Sequence, residues 1–234
     1  MNINNFKASL IDIGIEITDE QIDKFESYFN FLVVENEKYN LTAITDEKEV
    51  YYKHFYDSLA ISKFIDFDKQ SLCDVGSGAG FPSIPLKIIF NNLSITIIDS
   101  LGKRIKFLKA LCEMLELDGV ECIHARAEDY AKTARERFDF TTARAVASLP
   151  MLCELCIPLV KTGGYFFTPK GSRGLEEKDQ AKNAVKTLGC LEKDNYSYFL
   201  PEKFGERTLL IFKKIKATPS KYPRTFGKIK NRPL

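Results

Sequence analysis

Ser71-Leu72-Cys73-Asp74-Val75-Gly76-Ser77-Gly78-Ala79-Gly80-Phe81 decides the fold, because a short apolar strand runs straight into three closely spaced glycines and Pro82 follows as the opening of a helix. Glycine reaches backbone angles closed to other residues. Without a Cβ it also lets the main chain come close to a ribose or an amino-acid moiety. Proline is tolerated at a helix start because the N–H it lacks would have no partner within the helix. Strand, glycine turn and helix in this order form a loop for a nucleotide-like ligand.

The spacing narrows the ligand. A dinucleotide fingerprint, G-x-G-x-x-G, would place its last glycine where Phe81 stands, so Gly76, Gly78 and Gly80 fit G-x-G-x-G instead. That shorter form is similar to the first motif of Rossmann-like methyltransferases that bind S-adenosylmethionine, a ligand with no pyrophosphate to neutralise. The next strand, Ser94-Ile95-Thr96-Ile97-Ile98, ends in Asp99. The separation is close to the roughly 20 residues expected of a carboxylate that takes both ribose hydroxyls. Asp99 could instead cap the helix that starts near Gly102.

Outward from this core the pattern alternates. Strands are expected at 71–75, 94–99, 120–124, 138–142 and 164–169. Helices are expected at 82–90, 102–116, 149–160 and 174–188, and a final strand pair at 195–200 and 207–214. Five strands alternating with helices, then a hairpin, give an α/β doubly wound sheet with an antiparallel edge. Upstream, Thr18-x-x-Gln21 is a capping box for an amphipathic helix reaching about Tyr39, and a further helix spans Glu47 to Ile65. The expected division is an N-terminal helical extension (1–66), a ligand-binding domain (67–216) and a basic C-terminal tail (217–234).

In a doubly wound sheet the ligand lies outside the carboxyl ends of the strands. The residues there are Gly76 to Phe81, Asp99, Arg126-Ala127-Glu128-Asp129, Arg144 and Lys170-Gly171. Arg126, Arg144 and Lys170 on one edge suit a polyanionic substrate. The helix after the second strand starts with Lys103, Arg104 and Lys106, which oppose the helix dipole, a local cost that hints at function.

Composition excludes other classes. The chain has 234 residues and a net charge of +2, with no apolar leader or long apolar span, and its six cysteines are scattered through strands and helices. A disulfide scaffold and a membrane protein are therefore not expected, and the chain reads as cytoplasmic. Cys153-x-x-Cys156 lacks the second pair a metal site would need, so a buried helix is the better reading and no metal is expected. Residues 1–50 carry eleven acids and four bases, whereas residues 213–234 carry eight Lys or Arg and no acid, interleaved with Tyr222 and Phe226. Such a tail can neutralise phosphates while its rings stack on bases, or can simply be a solvated terminus.

Six runs together resemble one family: Asn40-Leu41-Thr42, His54-x-x-Asp57-Ser58-Leu59, Asp74 to Leu86, Asp99-Ser100-Leu101-Gly102-Lys103-Arg104, Arg144-Ala145-x-Ala147-Ser148-Leu149, and Lys170-Gly171. These look like the small-subunit ribosomal RNA methyltransferase G family, the 16S rRNA guanine-N7 methyltransferases also called glucose-inhibited division protein B. The resemblance implies a class I S-adenosylmethionine-dependent fold, and donor contacts at positions matching Gly76, Phe81, Ala127, Glu128 and Arg144. The loop reading adds Ser77, Gly78, Gly80 and Asp99 to the donor site. Arg144 is expected between donor and RNA, with Arg126, Lys170 and His54 gripping the target nucleotide. The implied partner is 16S rRNA within the small ribosomal subunit.

The implied reaction is direct in-line displacement on the sulfonium methyl. Guanine N7 loses no proton, so no general base is required and positioning can carry the rate. The sequence has neither the Asn/Asp-Pro-Pro-Tyr/Phe motif of exocyclic-amine methylation nor a Pro-Cys nucleophile, and both absences fit N7. Two other classes are a nicotinamide-dependent oxidoreductase, disfavoured by the glycine spacing, and a non-catalytic rRNA-binding or assembly factor, which would leave the glycine loop without a purpose.

Overall fold

The computed structural model describes residues 3–144 and 147–234, so Ala145 of the fifth quoted run lies outside the described residues. The chain begins with α1 (Ile3–Ile11), which buries Phe6 and Leu10. Only two core residues on nine positions gave no sequence signal for it. The expected capping box then opens α2 (Asp19–Tyr39), with Thr18 and Gln21 bonding each other's backbone N–H at 3.2 and 3.0 Å. The helix stops at Asn40, which takes the left-handed conformation at φ 51°.

The helix expected from 47 to 65 is a composite. α3 (Glu47–Val50) leads into a π-helical turn (Tyr51–Tyr56), then α4 (Asp57–Leu59) and a 3₁₀ turn (Ala60–Lys63). In the π turn Tyr51, Tyr52, Phe55 and Tyr56 are all buried, while Lys53 and His54 are only half-buried. Wide turns of this kind recur at functional sites because they re-aim side chains that a regular helix would misplace.

The sheet follows as β1 (Ser71–Val75), α5 (Ser83–Ile89), β2 (Ser94–Asp99), α6 (Gly102–Met114), β3 (Val120–His124), α7 (Ala127–Tyr130) and β4 (Phe138–Thr142). Next come α8 (Leu149–Cys156), β5 (Val160–Lys170), α9 (Gly174–Gln180), α10 (Lys182–Thr187), β6 (Cys190–Phe199), β7 (Glu206–Lys214) and α11 (Phe226–Asn231). Strand order is β3-β2-β1-β4-β5-β7-β6. The first five are parallel, and β7 runs antiparallel between β5 and β6. The order reverses between β1 and β4, which sets the binding crevice beyond their carboxyl ends.

Four further elements differ from the sequence reading by more than a residue or two, one of them β5, which begins at Val160 rather than at residue 164. The helix after residue 149 yields to a 3₁₀ turn at Ile157–Leu159, where Pro158 cannot continue an α-helix. The helix expected at 174–188 breaks at Ala181. β6 starts five residues early, because this edge strand has a register shift between Glu192 and Asp194 that hides its alternation.

The N-terminal helices share one apolar core with a face of the sheet, from Phe6 and Phe25 through Phe81 and Leu108 to Leu209. On the other face Tyr222 and Ile229 of the tail join α8 and β5 in a second core. Among the described residues no helix is long and apolar enough to cross a membrane.

Candidate donor and acceptor site

The glycine loop is pinned from both sides. Gly76 donates its N–H to Ile98 O at 2.7 Å, tying the loop to β2. Gly80 sits at φ +103°, and a Cβ there would lie 2.8 Å from both Ile84 Cγ1 and Tyr28 Oη. Tyr28, from α2, donates its hydroxyl to Ala79 O at 2.5 Å and stacks on Phe81 with ring centres 5.5 Å apart. The N-terminal helices thereby hold the loop, a role the sequence reading did not give them.

Three buried acids stand at the carboxyl edge. Asp74 is fully buried at the end of β1, where Ser83 donates to Oδ2 and Oδ1 has no hydrogen-bond partner among the described residues. Burial raises its carboxyl from the ordinary value to about 7. Asp99 accepts the Leu101 N–H at 2.8 Å and Arg104 at 3.2 Å, one on each oxygen. The helix cap weighed for Asp99 does not form, because Leu101 stands at the N-cap of α6 with no side-chain bond to it, and Asp99 instead closes a local turn just ahead of the helix. Each carboxylate oxygen accepts two hydrogen bonds, so both keep capacity for a diol. Glu128 is buried beside Ala127 in the first turn of α7. Ser77 Oγ and Thr142 Oγ1 add two more buried atoms without a partner among the described residues. The cations that open α6 have structural partners here: Arg104 pairs with Asp99, and Lys103 donates to Tyr39 O at 2.7 Å.

A cavity of about 600 Å³ adjoins this edge, lined by Lys53, His54, Asp57, Arg144, Lys170 and Arg207. Of the three residues the sequence reading gave to the target nucleotide, His54 and Lys170 line this cavity. Arg126 does not line it. Its guanidinium lies 5.2 Å from the Phe226 ring centre and 3.9 Å from Glu128, on the side of the tail. Arg144 borders both regions, since it lines the cavity while its charge acts on Asp74. The guanidinium carbon lies 5.0 Å from the Phe81 ring centre.

Asp57 organises the cavity. Its two oxygens receive Arg144 Nη1 at 3.3 Å, Arg207 Nε at 3.2 Å and the Tyr198 hydroxyl at 3.2 Å. Sequence reading quoted Asp57 without a role and missed Arg207 and Tyr198. Both come from the β6–β7 hairpin, about 150 residues away, and only the insertion of β7 beside β5 brings them in. Lys170 is paired with Glu177 at 2.9 Å and Lys53 with Glu49 at 2.6 Å.

The tail is docked. Arg224 grips the buried Glu154, Arg135 donates to the carbonyls of Thr218, Pro219 and Tyr222, and Lys214 is buried against Ile157 O and Val160 O. Two of the eight tail cations are thus used internally. Tyr222 is buried, so its ring is not free to stack on bases as the sequence reading allowed, whereas Phe226 is half-buried with Arg126 against it.

The family model for rRNA small subunit methyltransferase G matches residues 21–202 of this chain. The chain belongs to that family. It is 54% identical over 223 residues to the ribosomal RNA small subunit methyltransferase G of Staphylococcus saprophyticus, covering 94% of this chain and 93% of that protein. Its counterpart in Lysinibacillus sphaericus is 52% identical, with 97% of each chain covered. Among solved structures, M. jannaschii TYW2 in complex with AdoMet superposes with a TM-score of 0.54 at 16% identity, over 65% of this chain and 72% of that one. That likeness shows the fold alone.

Proposed function

We propose that this member of the family transfers the methyl group of S-adenosylmethionine to N7 of a guanine in 16S rRNA, within the small ribosomal subunit. One observation carries the reading: three buried carboxylates, Asp74, Asp99 and Glu128, stand at or just after the ends of β1, β2 and β3, and Arg144, whose charge acts on Asp74, lines a cavity with three further cations. The acidic side suits a ligand of net positive charge, and a dinucleotide pyrophosphate would be repelled there. The basic side suits an RNA backbone.

The orphaned polar atoms fit the donor. Asp74 Oδ1 would take its ammonium, Ser77 and Thr142 its other polar groups, and Asp99 its ribose diol. Gly76, Gly78 and Gly80 let the main chain pass close to it, while Ala127 and Glu128 would take the adenine edge. When bound, S-adenosylmethionine supplies an electrophilic sulfonium methyl. Lys170 would reach a phosphate or base oxygen of the acceptor by exchanging its ion pair with Glu177.

The cavity is built for orientation. Burial and the adjacent Arg144 pull His54 down to about 3, which makes it a poor base. Asp57 is committed to Arg144, Arg207 and Tyr198. Guanine N7 has a lone pair and no proton, so it is an acceptor these residues can serve. Alignment of reacting groups is worth on the order of 7 to 11 kcal/mol.

The test is transfer of a labelled methyl group from S-adenosylmethionine to the RNA of small subunits prepared from cells lacking this gene. Label in the 16S rRNA is expected. Tight subunit binding with no transfer would replace the enzyme by an rRNA-binding or assembly factor.

A further inference from the structure

Arg144 is held by two side chains over a ring. Nη1 meets Asp57 Oδ2 at 3.3 Å, Nη2 meets His54 Nδ1 at 3.2 Å, and Phe81 lies beneath. The His54 ring stacks on the same Phe81, with centres 4.5 Å apart and planes 22° from parallel. Asp57 gives Arg144 one long contact and divides itself between two arginines. That is less constraint than a bidentate carboxylate would provide. The second anchor of the guanidinium is His54.

The chemistry of this contact fixes the tautomer. A guanidinium has only donors, so Nδ1 of His54 accepts and the ring proton sits on Nε2. Nε2 lies 2.9 Å from Thr42 Oγ1. The other tautomer would send Nδ1–H to Lys53 O at 3.2 Å and set two N–H groups against each other. Thr42 is itself fixed. Its hydroxyl oxygen accepts the Ile44 N–H at 3.0 Å, and its own N–H donates to Asn36 Oδ1 at 2.9 Å. Asn36 Oδ1 also takes the Leu41 N–H at 2.7 Å, so the chain of contacts ends in the last turn of α2. The groups facing His54 are the cations Arg144, Lys53 and Arg207, with Asp57 and Glu177 the acids that line the same cavity, and a positive charge on the ring would meet three others.

We propose that His54 is a positioning residue for Arg144: as a neutral Nε2–H imidazole it ties the guanidinium to Thr42 and sets how Arg144 faces donor and target nucleotide. This rests on the methyl-transfer reading for its rate consequence and on the hydrogen-bond geometry alone for the tautomer. It assigns a task to Asn40-Leu41-Thr42, which the donor loop and the cavity leave without one. It also removes His54 from the groups that grip RNA by charge.

The chain has two histidines, His54 and the exposed His124, so their ring nitrogens can be followed individually by ¹⁵N NMR. One ring is expected to stay neutral and Nε2-protonated from pH 8 to 5, and to vanish from the spectrum in His54→Asn. A His54 ring protonated on Nδ1, or titrating above pH 5, would overturn the proposal whether or not the protein methylates RNA.

The rate arm uses purified full-length variants and small subunits at saturating donor. His54→Asn keeps an oxygen near the Nδ1 position, whereas His54→Gln reaches toward Thr42 and offers Arg144 nothing, and both lose the ring stack equally. His54→Asn is expected to keep at least tenfold more kcat than His54→Gln, with donor affinity unchanged in both. Thr42→Val is expected to lose about tenfold in kcat and Thr42→Ser to restore it. His54→Gln at least as active as His54→Asn, or Thr42→Val at the wild-type rate, would overturn the proposal.

Discussion

Replacing Arg224 by alanine isolates what holds the tail to the catalytic domain. Glu154 has 0% exposure in the middle of α8, between Cys153 and Leu155 of an apolar core. Its carboxylate is satisfied from the tail: Arg224 Nε and Nη2 donate at 2.8 and 2.6 Å, and the Arg224 backbone N–H donates at 2.8 Å. Arg224→Ala keeps only the backbone bond. Removing one partner of a buried pair costs about 3–5 kcal/mol, most of it the stranded charge. Arg224 is 23% exposed, so the lower end applies, about 3 kcal/mol. For a domain of this size that is a fall in Tm of roughly 6 to 12 °C. Arg224→Ala combined with Glu154→Leu removes the stranded charge and is expected to recover most of the loss. The chain has no tryptophan, so urea unfolding followed by far-UV circular dichroism is the assay. A single-variant loss below about 1 kcal/mol would refute the reasoning. So would a double variant no more stable than the single one.

Other consequences follow from the same geometry. Arg144→Ala is expected to lower kcat by at least about a hundredfold with the fold retained, the scale of a misplaced reacting group; wild-type kcat would remove Arg144 from the site. Asp74, raised by burial to about 7, holds its proton below that pH, and pairing with the donor ammonium requires its release. Donor affinity measured by calorimetry is therefore expected to rise between pH 5 and 7, by up to about tenfold per unit, and to level off above; Asp74→Asn is expected to flatten the dependence. In the donor-free protein the sign is opposite for stability. The folded state holds this proton and the unfolded state does not between about pH 4 and 7, so this contribution to stability falls as pH rises through that window. Gly80→Ala places a Cβ against Ile84 and the Tyr28 hydroxyl at a positive φ, and is expected to cost about 1–3 kcal/mol in urea unfolding together with loss of donor affinity.

What the sequence made legible was local. The strand-glycine-helix run, the capping box at Thr18, and Asp99 at the tip of β2 depend on neighbours within a few positions, and each is found where the pattern puts it. The cavity was legible only in part. His54 and Lys170 line it, but Arg207 and Tyr198 reach Asp57 only because β7 inserts between β5 and β6, a pairing no local pattern encodes. Arg126 stands outside the cavity for a related reason. Its position after β3 is right for a ligand edge, yet the tail crosses there and places Phe226 over it. The π turn escaped because the helical periodicity of Glu47 to Ile65 averages over one widened turn.

The most direct test is the identity of the nucleoside that receives the methyl group. Small subunits lacking the modification are incubated with the protein and methyl-labelled S-adenosylmethionine, and the 16S rRNA is digested for mass spectrometry. The cationic cavity, with His54 a poor base and Asp57 committed to its partners, predicts label in 7-methylguanosine, lost in Arg144→Ala. Label in a base methylated at carbon or at an exocyclic amine, where a proton must be removed, would contradict the account.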